Sequence, residues 1–546
     1  MAAVIVSPEV EAAAVGKDVL RNGGSAVDAA IAAAFAQAVV NPLLCGLGGS
    51  ALVLHADLRT GSVTAIDGEA EIGSVPAPSA WSDEFLGRAE TFGRYAIRSE
   101  DNQLGAGSVM TPGFVDAMEL LRSRFGSGRL DVSGLLAGAR RLAHDGFVVS
   151  DYVAQFWQVG SAGDSHSSRP AYPSLAQKMV RQPETARRYL SPEGRGLRAG
   201  ERFAQPWIAD VLDRLGRAGL DDLLHGQLGA LASAALERDA SLVTAADLAG
   251  YRALPRPAVE SRVAGHRVAT TPPPSPGVQV VQMLAIAAAL GANGREDDAD
   301  SVDRLAKIMR ASFADNRYIK ATDPAEAAAV AEAVLRPASV ERWARAIDGG
   351  DPVAVAGLAP SDGTTHVTVV DEHHAVCITH SLGSVAGSAY LVPELGYLFN
   401  NFLGHFDPRP GRPDSVRARA RIGTGAPLIA FGADGFRLAL GAPGGSRLIT
   451  SDFQVARSVL LGDDEADTAV ERPRIHSEQD RLVFVEPGQE QALRGGLESL
   501  GNTVEASTYM SRVQAVSRDA EGRLHAGSDP RGGRGIGVVP DASERG

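Results

Sequence analysis

The sequence predicts an α+β protein in which both halves of the chain build shared sheets and helices cover the outside. Three observations carry that expectation. Helical periodicity dominates residues 9–40 and the stretch from Thr111 to about Leu220. After Thr364 the pattern changes to short β-branched and apolar runs of period two, as strands show. A chain of 546 residues is long enough for several domains, yet no Pro/Gly/Ser-rich or charged linker divides it cleanly. The helix-rich and strand-rich parts therefore belong to one layered body and not to two beads on a string.

Taken in order, residues 9–40 form two helices broken at Asn22-Gly23-Gly24, with Ser25 or Asp28 capping the second. The glycine-dense segment Pro42–Ser50 turns the chain into strands Ala51–His55 and Ser62–Asp67, and reads either as a packing corner or as a wall of an active site. Thr111-Pro112-Gly113 opens one helix and Ser133 another, while Gly160–Pro173 is irregular. Thr244–Tyr251 is a short capped helix. The strand Gly265–Thr270 runs into the proline-rich turn Thr271–Gly277, which stiffens the entry to the apolar helix Val278–Leu290. A further helix covers Ser301–Lys320. Residues 321–362, rich in Ala, Pro and Asp and partly helical, are the most linker-like part. Strands Thr365–Val370, Ala375–Ser381, Leu428–Phe431 and Phe436–Leu440 follow, then a helix, Phe453–Leu460.

An apolar fraction of 44% and a charged fraction of 22% describe a soluble globular protein. With a net charge of −13 and no basic run, nucleic acid is not an expected partner. Cys45 and Cys377 give no disulfide framework and fit a reducing compartment. The segment Met1–Pro8 lacks the positive region and cleavage site of a secretory signal, so the expected location is cytoplasmic. The longest uncharged run, Ala29–Leu54, is interrupted by Gln37, Asn41, Pro42 and several glycines, and reads as a buried helix and a turn, with no membrane span. No phosphate-cradling Gly-Lys-Ser/Thr loop is present, and no cofactor is expected.

The chemistry centres on Gly363-Thr364-Thr365-His366-Val367. A threonine that becomes a chain N-terminus carries its own general base, an α-amine of pKa roughly 7.7–8.0, beside its hydroxyl. Gly363, without a Cβ, can hold the strained conformation in which the Thr364 hydroxyl attacks the preceding carbonyl. The alternating β-branched residues that follow place the new terminus on a rigid strand.

Around this stretch lie Gly23–Ala30, Gly46-Leu47-Gly48-Gly49, Thr111-Pro112-Gly113, Thr244–Tyr251, Pro272-Pro273-Pro274-Ser275, Asn400-Asn401, Pro443-Gly444-Gly445-Ser446-Arg447 and Ser528-Asp529-Pro530-Arg531. In this order they make the chain resemble, nearly end to end, the γ-glutamyltransferase family of self-processing N-terminal-nucleophile hydrolases. The resemblance implies a four-layer αββα sandwich built jointly by a large chain, 1–363, and a small chain, 364–546, which together form a heterodimer. It also implies that Thr364 is the processing and catalytic nucleophile, released after Gly363, and that Ser381 hydrogen-bonds it. Gly444 and Gly445 then form the oxyanion hole, and Thr365, His366 and Asn400 give support.

The departures bear on specificity. Where the family grips the glutamyl α-carboxylate with arginine this chain has Glu69, so a substrate carboxylate would meet a like charge. Where it grips the α-amino group with Asn, Gln and Asp, this chain has Gly383, Phe402 and His405, and its paired serines become Gly423 and Thr424. Arg409, Arg412, Arg417, Arg419 and Arg421 form either a solvated loop face or a device that steers an anionic substrate. The expected activity is hydrolysis or transfer of an acyl group from a small amide-like substrate. The alternatives are a specialised acylase or C–C bond hydrolase of secondary metabolism, and an inactive relative that only binds. Two other constellations are set aside. Asp371, His373, His374, Cys377 and His380 are no metal site, because Cys377 and His380 fall on opposite faces of a strand. Gly383-Ser384-Val385-Ala386-Gly387 has its serine one place too early for a nucleophile elbow.

Overall fold

The computed structural model describes residues 2–88, 95–158, 175–292, 298–315, 323–353, 363–412 and 414–540. Thirteen strands build its two main sheets: β1 Ala3–Ser7, β2 Ser50–Asp57, β3 Ser62–Gly68, β4 Leu254–Pro257, β5 Val259–Val263, β6 His266–Thr270, β7 Gly363–Val370, β8 His374–Gly383, β9 Leu428–Gly432, β10 Gly435–Gly441, β11 Gln514–Arg518, β12 Leu524–Ser528 and β13 Gly535–Val539. The first sheet runs β13-β1-β7-β8-β2-β3-β4 and the second β12-β11-β10-β9-β6-β5, with every pair antiparallel.

Side-chain alternation along β7 explains the stacking. Val367 and Val369 join a core that contains the Ala-rich helix Ala26–Val40, whereas Val370 joins Cys377, Ile429 and Ala439 between the sheets. On the far side of the second sheet, Leu428, Leu438 and Leu440 pack with helices Gly277–Ala289, Ala299–Ala314 and Ser446–Leu460. Helix, sheet, sheet and helix follow one another in that order, the expected αββα sandwich.

Most elements lie where the sequence placed them. Ser25 and Asp28 together make a reciprocal capping box for Ala26–Val40, and Thr244 and Asp247 make one for Ala245–Gly250. Four expectations are corrected. The helix Val132–Asp145 is capped by Asp131, whose Oδ1 accepts from Gly134 N at 2.8 Å, and not by Ser133. The helix expected over Phe453–Leu460 starts seven residues earlier, at Ser446, directly on Gly445. The helix Ala299–Ala314 is followed by described residues only to 315, and Pro324–Leu335 and Pro337–Asp348 make the linker-like stretch largely helical. Strands β1, β4, β5 and β11–β13 were not read from the sequence. The irregular segment Gly160–Pro173 and residues 354–362 lie outside the described residues. Among the described residues, no helix is long and apolar enough to cross a membrane.

Candidate active site

β7 begins at Gly363, so Thr364 is held at the mouth of the inter-sheet layer, on the same face as His366 and Thr368. β8 pairs with it so that Thr364 opposes Ser381, with a bulge between Gly363 and Thr364. The Thr364 hydroxyl donates to Ser381 Oγ at 3.1 Å, and Ser381 Oγ donates onward to the Gly363 carbonyl oxygen. Gly383 N–H also donates to Ser381 Oγ, at 2.9 Å. One hydroxyl thus touches both the proton of Thr364 and the carbonyl that precedes it. Gly363 is fixed by close approach: a Cβ there would stand 2.4 Å from the backbone carbonyl of Ser384.

The layer beneath supports this strand. Thr365 points to the helix side and donates to Glu9 at 2.9 Å, and that buried carboxylate also accepts from Gln37 Nε2 and Asn41 Nδ2, each at 2.8 Å. His366 bonds Thr379 Oγ1 at 2.8 Å and Thr368 Oγ1 at 3.0 Å, and burial drives its pKa down to about 3, so it stays neutral. Asn400 ties Gly48 O at 2.9 Å to Met110 O at 2.8 Å. Gly49, in the glycine-dense corner, leaves no room for a Cβ beside the Ser381 carbonyl, so that corner both packs and abuts the site.

Gly441, at the end of β10, lies against the His366 ring, which brings the following Pro443-Gly444-Gly445 to the end of the sandwich where Thr364 stands. Gly444 and Gly445 have φ of 118° and 59°, the region glycine favours, and their N–H groups precede the first turn of Ser446–Leu460. A helix N-terminus presents free donors and partial positive charge, which suits an oxyanion. Arg447 braces the loop by donating to Ser507 Oγ at 2.7 Å.

Glu69 follows β3, beside the start of β2, where Ser50 pairs with Ser381. Its Oε1 accepts from Thr424 N at 2.7 Å and Thr424 Oγ1 at 2.8 Å. Burial, and then the nearby Asp67 carboxylate, push its pKa up to about 8. Burial thus favours the protonated form of Glu69, which weakens the like charge expected there, while a substrate carboxylate still finds no cation at this position. Gly423 lies against Ser275, Phe402 is packed among Ile72, Met110 and Leu403, and half-buried His405 has its ring 6.3 Å from that of Phe402. Of the arginine run, Arg419 and Arg421 bind Glu71 at 2.8 and 3.0 Å, Arg421 also binds Asp67 at 3.2 Å, and Arg409 binds Asp407 at 2.7 Å. Arg412, Arg417 and Arg419 are exposed, as expected of a solvated loop face, whereas Arg409 and Arg421 are partly buried. Cys377 lies in the inter-sheet core while His380 stacks on Phe114 on the helix side, at 4.9 Å, so these two potential ligands point apart. Glu9 and Lys178, both near the strand pair, carry no signal in the sequence, and Gln37 and Asn401 stand out there only as a polar break in an uncharged run and as part of the Asn400-Asn401 motif.

Fold and site together define a layered enzyme of the N-terminal-nucleophile hydrolase fold. The chain belongs to the γ-glutamyltranspeptidase family: the family model "Gamma-glutamyltranspeptidase" matches residues 12–539. It is an enzyme of the hydrolase and acyltransferase kind. The "Acylase ACY 1 proenzyme" of Pseudomonas sp. (strain SE83) is 28% identical, with 95% of this chain and 90% of that protein covered. The "Glutathione hydrolase proenzyme" of Escherichia coli (strain K12) is also 28% identical, covering 97% of this chain and 90% of its own length. Among solved structures, cephalosporin acylase from Bacillus halodurans superposes with a TM-score of 0.81 over 98% of this chain and 95% of its own, at 22% identity.

Proposed function

We propose that the chain is a self-processing threonine N-terminal-nucleophile enzyme that hydrolyses or transfers the acyl group of a small amide-like substrate whose acyl end is not γ-glutamyl. The observation that carries the reading is the relay from the Thr364 hydroxyl through Ser381 to the Gly363 carbonyl. In self-cleavage the Thr364 oxygen attacks the Gly363 carbonyl carbon as its proton passes toward Ser381. The C–N bond breaks, the Thr364 nitrogen takes up the proton, and an ester links the two segments. Water then hydrolyses the ester, leaving a Gly363 carboxylate and a free Thr364 amine and hydroxyl, on chains 1–363 and 364–546. In turnover that amine serves as the base. The acyl-enzyme forms on Thr364 Oγ, the amine leaves, and water or a second amine accepts the acyl group. Gly444 and Gly445 N–H groups hold the oxyanion; losing one such donor costs about 10²–10³ in rate.

The specificity reading rests on Glu69 and Thr424. Relatives named as acylase and as glutathione hydrolase are matched equally well, but the Glu69 carboxyl is engaged by Thr424 and offers no guanidinium fork to an α-carboxylate. Losing the partner of a buried charge costs on the order of 2–5 kcal/mol. Intact mass spectrometry after incubation with glutathione, γ-glutamyl-p-nitroanilide and amides with uncharged acyl ends tests this. An acyl adduct on the 364–546 chain from the uncharged donors is expected. Turnover of glutathione with kcat/KM of about 10⁴ M⁻¹s⁻¹ or more contradicts the specificity, since that is ordinary enzyme efficiency.

A further inference from the structure

Lys178 sits on the short helix Leu175–Val180, far from Thr364 in sequence, and is 9% exposed. Its Nζ donates to Ser384 Oγ and to the Val385 carbonyl, both at 2.7 Å. Among the described residues no carboxylate pairs with it, and burial alone draws its pKa down to about 7. A lysine in such a place is expensive, and a methionine of similar length would fill the space without that cost. What methionine cannot supply is the pair of donors.

Those donors act on the backbone that confines the scissile peptide. Ser384 N–H donates to Asn401 Oδ1 at 3.0 Å, and Ser384 Oγ accepts from Asn401 Nδ2 at 2.9 Å as well as from Lys178. The carbonyl of the same Ser384 is the group that Gly363 presses against. We propose that Lys178 is a positioning residue for self-cleavage: acting through Ser384 and Val385, it fixes the backbone on which Gly363 rests and so keeps the Gly363–Thr364 peptide at the Ser381 hydroxyl. This rests on the reading of Thr364 as the processing residue. A shift of about 1 Å at a reacting centre costs on the order of 100-fold in rate.

A plain strut role for Lys178 has a built-in control. Thr185, on the adjacent helix Pro183–Tyr189, ties the same loop by donating to the Ala389 carbonyl at 2.7 Å, without touching Ser384. The test synthesises the full chain in a cell-free system and follows its conversion to two chains by mass spectrometry. Melting of each variant is measured in a Thr364→Ala background that does not cleave. Lys178→Met is expected to slow cleavage by about 10- to 100-fold, and Thr185→Val by less than about twofold, at similar melting temperatures. Lys178→Arg, which keeps the donors, is expected to recover cleavage to within about fivefold of wild type. Wild-type cleavage in Lys178→Met, equal slowing in Thr185→Val, or no recovery in Lys178→Arg overturns the proposal. Should Lys178→Met not fold, Ser384→Ala takes its place: slow cleavage supports the proposal and wild-type cleavage overturns it. A wild-type chain that never cleaves overturns the Thr364 reading itself, and this one with it.

Discussion

At Gly363 the absence of a single methyl group decides the geometry of the Gly363–Thr364 peptide. A Cβ would stand 2.4 Å from the Ser384 carbonyl carbon and oxygen, both backbone atoms, so an alanine must push the strand start away from Ser381. Gly363→Ala is therefore expected to remain one chain for hours after purification, as seen by denaturing electrophoresis, while Thr364 and Ser381 are both present. Glu69 makes a different test. Its folded-state pKa of about 8 lies above the ordinary 4.5, so the folded protein holds a proton that the unfolded chain has released. Its contribution to stability is complete below about pH 4.5 and is lost as pH rises through 8. In Glu69→Gln, which keeps shape but does not titrate, the fall in Tm between pH 5 and pH 8.5 should be shallower than in wild type; parallel curves would contradict it. Thr364 is marked locally by the glycine before it and the period-two strand after it, whereas Ser381, Gly444 and Gly445 stand out only through the family resemblance, a Gly-Gly pair alone being a plain turn. Lys178 does not stand out, because a lysine in a six-residue helix carries no mark of its own burial until the fold supplies the loop it meets.

The β2, β7 and β8 strands carry three buried histidines. His55, His366 and His380 each have a pKa lowered to about 3, in every case chiefly by burial, with His374 adding to the effect at His55 and His380 at His366. The unfolded chain protonates them near 6.5 and the folded one does not, so the stability present above pH 6.5 drains away as pH falls toward 3. Thermal melts should show this acid limb. His380→Phe, which keeps the ring against Phe114, should flatten it. At pH 7 the variant should lose about 1–3 kcal/mol, because Gln37 Oε1 is left without its 2.9 Å partner. An unchanged acid limb would remove His380 from the account. At this scale the sequence was read well where periodicity is long and poorly where it is short. The β1 run Ala-Val-Ile-Val-Ser is only five residues, and Ile449 and Thr450 weaken the helical signal in the first turns of Ser446–Leu460.

Across the whole molecule, the segments before and after Thr364 are interleaved, so that a cut there would be expected to leave the body intact. In the first sheet β1, from the segment before Thr364, lies between β13 and β7 from the segment after it, and β8 pairs with β2 across the same division, so both segments build one sheet. The joint sandwich was foreseen because no linker divides the chain; the strand order was not, since it depends on long-range pairings such as Val4 with both Val370 and Val538. The central claim is that this interleaved body matures by exposing a threonine. Edman sequencing of the purified wild-type protein, taken from a single gel-filtration peak, tests it most directly. The expected result is two N-termini, the original one and a second reading Thr364-Thr365-His366-Val367-Thr368. Recovery of the original N-terminus alone from catalytically active protein would contradict it.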